Sequence, residues 1–338
     1  MRVNELQSPR RESGVAGFGP RTSVLGSVVV LSLLIFSQAP AQTCAWCEAG
    51  SGAEIRLEGV IDLHAHSAPD SGARSIDAIT IAQLARDSGM RALLLKNHYT
   101  QTASLAYIVS KAVSGIELYG GIALNSTIGF NPGAVWHMAN TTGRHGKVVW
   151  MPTFDSEHYH NVLAPNPNHV KISSGGKLLP ATLKILDAIK ENDLALATGH
   201  SSPAESLMLI RAAKQRGIER IIVTHPLPPP VAMSVEQQKK AAAMGALLEY
   251  DFGATLARFP MWKLSESDKF ALYVKAINEI GPEHIAVSSD LGQPMNPIHT
   301  DGLIGYFQRL LAAGFTQDQI DIMSKRNPAR LLGITETE

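Results

Sequence analysis

Short apolar runs rich in valine, isoleucine and leucine alternate along this chain with segments whose apolar positions repeat with a helical period. The runs predict eight β-strands, at 59–63, 91–95, 117–124, 147–151, 194–198, 220–224, 246–250 and 284–288. The intervening segments predict amphipathic helices at 76–88, 103–114, 181–191, 204–216, 235–244, 266–280 and 303–313. Most of these helices are followed by a glycine, which readily adopts the left-handed conformation that ends a helix.

Strict alternation of strand and helix, with strands apolar along most of their length, indicates a parallel sheet covered on both faces. Eight such units favour an α/β fold of the (β/α)8 TIM barrel type over an open sheet. No Gly-x-Gly-x-x-Gly pattern follows any of the strands, which argues against dinucleotide binding. We therefore expect a single barrel domain over residues 59–338.

Polar residues follow the predicted strands, beginning with His64 and His66 after the first. Side chains two apart on a strand face the same side, and two neutral imidazoles together are suited to chelate one metal ion. The carboxyl ends of all strands of a barrel meet at one mouth, so we expect later strand-end residues to join them. These are Lys96, Asn97, His98, Asn125, Thr153, Asp155, His158, Thr198, His200, Thr224, His225, Glu249, Asp251, Ser288, Ser289 and Asp290.

The order of these residues resembles that of the amidohydrolase superfamily of metal-dependent hydrolases. The resemblance rests on a His-x-His pair on the first strand, a histidine on each of the fifth and sixth strands, and an aspartate on the eighth. In this chain these are His64, His66, His200, His225 and Asp290, and residues 327–333 are similar to the closing helix of many members. The resemblance spans about residues 59–333 and implies that these five side chains bind a divalent ion. It also implies that Asp290 takes a proton from the activated water.

The fourth strand departs from the superfamily pattern, since two-metal members carry a lysine or a glutamate there. Asp155 is the candidate bridging ligand in this chain, and an ordinary loop aspartate is the alternative. Lys96 is expected to be a carboxylated ligand, an anion-binding group or an acid of lowered pKa, and His98 is a further catalytic candidate. The donor types fit zinc, as one ion or two, while manganese, nickel and iron stay open.

These residues favour a metal-dependent hydrolase acting on a small-molecule amide, lactone or ester. Lys96, Lys171 and Lys177 keep open a decarboxylase or isomerase on the same barrel, and a barrel that only binds a ligand is the third alternative. Segment 160–179 is expected to be either a lid over the mouth or a surface insertion. Gln293, Asn296 and His299 follow the last strand and are expected to contact substrate, although His299 also fits a packing role.

The amino terminus has the pattern of a secretory signal peptide over residues 1–41. Four arginines precede an apolar stretch at 24–36, and Ala39-Pro40-Ala41 matches a small-x-small cleavage site. We expect a periplasmic or secreted protein, with an uncleaved N-terminal anchor as the alternative. The segment 42–58 contains Cys44 and Cys47, which are expected to form a disulfide outside the cytosol.

The charge composition bears on the partners. The full chain has 30 basic and 30 acidic residues, and loss of residues 1–41 leaves a net charge of about −2. A nucleic-acid partner would favour a basic face, so none is expected. We expect a small-molecule substrate and no stable membrane insertion after signal cleavage, and we leave a homo-oligomer open.

Overall fold

The computed structural model describes residues 55–256 and 261–335, so the predicted signal peptide and the Cys44–Cys47 pair lie outside the described residues. Eight strands form the main sheet: β1 (Ile61–Ala65), β2 (Ala92–Leu95), β3 (Glu117–Ala123), β4 (Gly146–Trp150), β7 (Ala195–Ala197), β8 (Ile221–Val223), β9 (Leu247–Asp251) and β10 (Ile285–Ser288). Two short strands, β5 (Ser173–Ser174) and β6 (Lys177–Leu178), form a separate antiparallel hairpin. All eight predicted strands are present, whereas the hairpin was not predicted.

The eight strands pair in parallel in the order β1-β2-β3-β4-β7-β8-β9-β10. The two ends of this sheet meet just beyond β1 and β10. There the Asp290 amide donates to the His64 carbonyl at 3.0 Å, and the His66 amide donates to the Leu291 carbonyl at 3.0 Å. The predicted (β/α)8 barrel is therefore confirmed, and its closure joins the backbone of the His-x-His pair to that of Asp290.

Each of the seven predicted helices is present. The helices are α1 (Ala78–Asp87), α2 (Ala103–Ala112), α3 (Pro132–Ala139), α4 (Glu157–Val162), α5 (Pro180–Glu191), α6 (Pro203–Gln215), α7 (Val235–Ala243), α8 (Glu266–Ile280), α9 (His299–Ala312), α10 (Gln317–Asp321) and α11 (Asn327–Leu332). The spacing of apolar residues did not predict α3 and α4 because both helices are short. The helix α3 buries only three side chains, and α4 buries none. In the described part of the chain, no helix combines the length and apolar character needed to cross a bilayer.

Alternate strand residues fill two separate apolar cores. Leu93 and Leu95 of β2 pack outward with the helices, whereas Ala92 and Leu94 face a cluster built mainly from strand residues. The side chains of Leu331 and Leu332 on α11 join this inner cluster. The barrel interior is therefore a packed core, closed by α11, and polar side chains are left to the mouth formed by the strand carboxyl ends.

Candidate metal and catalytic site

The strand carboxyl ends surround a cavity of about 340 Å³. Its polar lining residues are His64, His66, Arg74, His98, His200, His225, Asp290, Gln293 and Asn296. Its apolar lining residues include Phe154, Pro229, Pro230, Met261, Pro294 and Met295. The structure thus brings five of the predicted strand-end histidines and Asp290 into one small space, and it adds an apolar wall and Arg74, which no sequence pattern indicated.

Three potential ligand atoms converge at the base of this cavity. Asp290 Oδ1 lies 3.2 Å from His64 Nε2 and 3.1 Å from His66 Nε2. Both histidines are buried, and the Asp290 side chain is only 14% exposed. The two residues of the His-x-His pair therefore do converge on the carboxylate that follows the last strand.

The protonation of three ring nitrogens follows from their hydrogen-bond partners. In His64, His66 and His225, Nδ1 lies against a carboxylate or carbonyl oxygen and donates to it, although Arg74 Nη2 also lies 3.2 Å from His66 Nδ1. In the neutral rings of His64 and His66 this leaves a lone pair on Nε2. The acceptors are Glu249 Oε1 at 3.0 Å, the Lys96 carbonyl at 2.8 Å and Asp251 Oδ2 at 2.8 Å, respectively. Glu249 and Asp251 thus orient two of these rings, as expected for residues at the end of the seventh strand.

A cation fits among the converging atoms. Burial lowers the pKa of His64 well below its usual value and that of His66 to about 4, so both rings are neutral at pH 7. Two Nε2 lone pairs then face an Asp290 oxygen, an arrangement that is unfavourable unless a positive charge, such as the Lys96 ammonium or a metal ion, lies beside them. Separations of 3.1–3.2 Å also suit ligands placed about 2.0–2.2 Å from a shared ion. The residues present therefore fit a divalent metal.

Lys96 contacts the same cluster. Its Nζ donates to His64 Nε2 at 2.8 Å and lies 5.2 Å from the centre of the Trp150 ring. Burial lowers the pKa of Lys96 to about 8, against the attraction of the Asp290 and Glu249 carboxylates. A lone pair engaged by Lys96 cannot also coordinate a metal, so metal binding by His64 requires this amine to move away from Nε2.

His225 lies on the other side of Asp290. Its Nε2 is 3.8 Å from Asp290 Oδ2, and its ring stacks on His64 with centroids 5.0 Å apart. Although burial opposes it, the Asp251 carboxylate raises the pKa of His225 to about 9. Burial likewise opposes ionisation of Asp290, but the contact with His66 and the charge of His225 hold its pKa at about 2. Asp290 is therefore a carboxylate at neutral pH.

His200 lines the cavity but stands apart from the three-residue ligand clusters. Its Nδ1 is buried and has no hydrogen-bond partner among the residues that the structure describes. The ring stacks on Tyr159 at 5.5 Å, and its centroid is 5.8 Å from that of His225. A buried ring nitrogen without a partner is a further candidate ligand atom, although the structure does not bring it to the position occupied by His64, His66 and Asp290.

The structure places Asp155, the predicted bridging ligand, away from the three-residue ligand clusters. Its Oδ2 accepts from the amide and hydroxyl of Ser126 at 2.9 and 2.6 Å, and its Oδ1 accepts from Asn166 Nδ2 at 2.8 Å. Asp155 lines a separate, polar pocket on the rim instead of the main cavity. A carboxylate that directly follows a strand can point toward a neighbouring loop instead of the cavity. Its position in the sequence does not indicate which of the two it faces.

His98 lines the cavity and stacks on His66, with ring centroids 5.0 Å apart. Its Nδ1 lies 2.9 Å from Thr153 Oγ1, and Thr153 is in turn held by Asn125. Burial, reinforced by the nearby charge of Lys96, lowers the pKa of His98 well below its usual value. The structure therefore places this catalytic candidate against the metal-ligand cluster as a neutral ring.

Two loops differ in how they meet the cavity. None of the described cavity-lining residues comes from 160–179, so the predicted lid is not formed in this structure; Lys171 instead pairs with Glu157 at 2.8 Å. After the last strand, Gln293 and Asn296 do line the cavity. His299 is fully buried at the start of α9 and is absent from the lining, a position that favours its packing role over substrate contact.

Comparison with solved structures shows the same fold in several proteins that are described as different hydrolases or hydrolase homologues. An amidohydrolase from Pseudomonas aeruginosa has a TM-score of 0.59 at 12% identity, with 81% of this chain and 95% of that chain covered. The phosphotriesterase homology protein from Escherichia coli, solved with phosphate in its active site, has a TM-score of 0.56 at 15% identity, covering 82% and 100%. A probable 2-pyrone-4,6-dicarboxylic acid hydrolase from Acinetobacter baumannii, with citric acid bound, has a TM-score of 0.56 at 14% identity, covering 82% and 100%.

At these identities the similarity shows the fold alone, and the predicted (β/α)8 barrel is confirmed. No curated protein sequence gives a significant match to the chain. A family model described as a family of unknown function, DUF6282, matches residues 59–249. This match includes β1 to β8, with His64, His66, His98, His200 and His225, and extends into β9. Since it covers more than half of the chain, the protein belongs to the DUF6282 family.

Proposed function

We propose that this protein is a metal-dependent hydrolase that acts on a small-molecule amide, lactone or ester. The observation that carries the proposal is the convergence of His64 Nε2, His66 Nε2 and Asp290 Oδ1, with Nδ1 of both histidines turned toward other acceptors. The fold shared with barrels named as amidohydrolase and pyrone hydrolase supports the same reaction class. His225 and His200 are the next candidates to complete a metal site, with zinc the first expectation and manganese, nickel or iron the alternatives.

A divalent ion held by these residues would lower the pKa of a water molecule and polarise a substrate carbonyl. Side chains of the protein would transfer the proton and orient the metal ligands. Asp290 is ionised at neutral pH, and its Oδ2 is placed to accept the proton of an attacking water and pass it to the leaving group. Glu249 and Asp251 hold the His64 and His225 rings so that Nε2 of each faces the cavity.

The cavity supports a small substrate of mixed character. About 340 Å³ is within the range of small-molecule sites, and proline, methionine and phenylalanine side chains form an apolar part of its wall. Arg74, Gln293 and Asn296 provide the polar contacts for a second part of the substrate. Nε and Nη2 of Arg74 are both bound to Asp70 Oδ2, which limits this arginine as a binding site for a strongly anionic group.

The decarboxylase alternative receives less support. It drew on a cluster of lysines, but Lys171 is paired with Glu157 on the surface, and Lys177 lies in the β5–β6 hairpin away from the cavity. Only Lys96 reaches the site. The signal-peptide pattern of residues 1–41 supports a periplasmic or secreted location, which stays a prediction.

Elemental analysis of the purified protein tests the metal site. We expect one to two equivalents of zinc or another divalent metal in the wild type, and less than about one tenth of that in His64→Ala/His66→Ala because two ligands are lost. Asp290→Asn should keep most of the metal while losing hydrolysis of any ester or lactone that the wild type cleaves. His137→Ala, an exposed histidine on α3, is the matched control and should bind metal normally. A wild-type protein that cannot be loaded with zinc, manganese, nickel or iron would contradict the proposal.

A further inference from the structure

We propose that His98 acts in this site as a hydrogen-bond donor through Nε2–H, and that Asn125 and Thr153 are positioning residues that fix this tautomer. The donor would stabilise negative charge on the substrate oxygen, a role that rests on the proposed hydrolase function. The tautomer itself follows from the hydrogen bonds and does not depend on that function.

The chain of hydrogen bonds starts at Asn125, whose amide orientation is unambiguous. Its Oδ1 accepts from the backbone amides of Thr153 at 2.8 Å and Asp155 at 3.2 Å, and both of these groups can only donate. Its Nδ2 faces the His98 carbonyl at 2.9 Å, which can only accept. The second proton of the same Nδ2 is therefore directed at Thr153 Oγ1, 2.8 Å away.

The orientation of the Thr153 hydroxyl determines which nitrogen of the His98 imidazole carries the proton. Its hydroxyl accepts from Asn125, and it has a single proton of its own. The only other hydrogen-bond partner of Oγ1 among the described residues is His98 Nδ1, at 2.9 Å. Both side chains are fully buried, so an unused hydroxyl proton would be costly. The hydroxyl therefore donates to Nδ1, and the proton of the neutral ring is on Nε2.

This tautomer is the opposite of that in the neighbouring rings. His64, His66 and His225 donate from Nδ1 to oxygen acceptors, and the neutral rings of His64 and His66 present a lone pair at Nε2, as a metal ligand must. His98 presents an N–H at Nε2 and so is not a ligand through that atom. Its ring packs on Phe154, with centroids 4.1 Å apart, and on His66, which holds it at the edge of the ligand cluster.

An N–H fixed at a partly apolar cavity beside the candidate ligand cluster is suited to stabilise an oxyanion. When water attacks the carbonyl carbon, the C=O π electrons move to oxygen, and a preorganised donor lowers the energy of that charge. His98 would keep its proton throughout, while Asp290 handles the proton of the water. This division differs from general-base catalysis by His98, which requires a lone pair facing the cavity.

Long-range ¹H–¹⁵N NMR on the whole protein with ¹⁵N-labelled histidine tests the tautomer directly, without metal or substrate. We expect His98, assigned by its loss in His98→Gln, to show a protonated Nε2 and an unprotonated Nδ1 at pH 7.5. Thr153→Ser should keep this pattern because it retains the hydroxyl, and Thr153→Val should disturb it. A protonated Nδ1 with an unprotonated Nε2 would overturn the proposal, as would a doubly protonated ring.

Hydrolysis of p-nitrophenyl acetate and of dihydrocoumarin then tests the role. We expect kcat to fall roughly 10²–10³-fold in His98→Leu, the loss typical of one oxyanion donor, with KM little changed. His98→Gln should recover part of that loss because its amide can donate from a similar position. Equal losses in both variants would indicate proton transfer by His98 and contradict the donor role. If the wild type cleaves neither probe, the NMR result still decides the tautomer, and only the proposed function is in question.

Discussion

At the scale of single residues, the chemistry of the histidines is set by what their Nδ1 atoms touch. Carboxylate or carbonyl oxygens face Nδ1 of His64, His66 and His225, while a hydroxyl faces Nδ1 of His98. The same side chain is thereby suited to act as a metal ligand in three cases and, as we propose, as a donor in the fourth. The neighbours at Nδ1 come from other strands, so the roles depend on contacts distant along the chain.

Glu249 offers a test of these oriented ligands. Its Oε1 accepts from His64 Nδ1 and from the Ser288 hydroxyl, both at 3.0 Å. Glu249→Gln keeps an acceptor oxygen but removes the negative charge that makes His64 more basic, so we expect zinc affinity to fall about 10–100-fold. Competition with a chromophoric zinc chelator measures this change.

The control for Glu249 is Glu283→Gln, because Glu283 is a surface carboxylate with a side chain that is 62% exposed. Its zinc affinity should equal that of the wild type. Unchanged affinity in a well-folded Glu249→Gln would show that the carboxylate does not tune the ligand.

At the scale of elements, the turns that follow the strands place the site. Gly199 lies between β7 and His200 with φ of +60°, a conformation that favours glycine. A Cβ at this position would lie 2.2 Å from the Met151 carbonyl oxygen and 2.7 Å from that of Pro152. The turn therefore allows the backbone after β7 to approach the end of β4, and this approach sets the position of His200.

Gly199→Ala is expected to destabilise the protein by about 2–5 kcal/mol, because left-handed strain adds to the clash with backbone that cannot yield easily. Urea unfolding measures the loss. Gly175→Ala is the matched control, since φ is +55° there but nothing lies within 4 Å of the added Cβ. It should cost only about 1 kcal/mol of strain. Equal losses in the two variants would mean that the close approach to β4 does not matter.

At the scale of the whole molecule, the carboxyl-terminal segment closes the barrel opposite the site. Asn327, at the start of α11, donates from Nδ2 to the carbonyls of Pro282 at 3.0 Å and Ile285 at 2.6 Å, just before and within β10. Leu331 and Leu332 then enter the inner apolar core. The motif that resembles the superfamily's closing helix is therefore a structural element, remote from the metal-ligand cluster.

Asn327→Ala should lower the free energy of unfolding by about 1–3 kcal/mol, because two largely buried carbonyls lose their donor. Urea denaturation measures this loss, and elemental analysis should find the metal content unchanged. Asn168→Ala, an exposed loop substitution, is the control and should leave stability within about 0.5 kcal/mol of the wild type. A loss of metal in folded Asn327→Ala would contradict the separation of closure from the site.

Much of the site was predictable because the carboxyl ends of all strands in a barrel lie at the same mouth. His64, His66, His200, His225, Lys96, His98 and Asp290 all reach the mouth, since a residue after any strand of a closed parallel barrel starts from the same rim. Asp155 shows the limit of this reasoning. Asp155 does follow a strand, but its carboxylate binds Ser126 and Asn166 instead of facing the cavity. This direction depends on the path of a loop, and the sequence of the loop has no periodic pattern from which that path could be predicted.

The sequence by itself determined the class of fold and the order of the candidate ligands. The spacing of apolar residues and the residues that form turns act on local structure, so both can be recognised in the sequence before any tertiary contact is known. Only the tertiary structure decided which side of each imidazole faces the cavity, where Arg74 and the apolar wall lie, and that segment 160–179 stands clear of the mouth. These features depend on atoms brought together from distant strands and loops, and hydrogen-bond partners at such separations leave no local pattern to read.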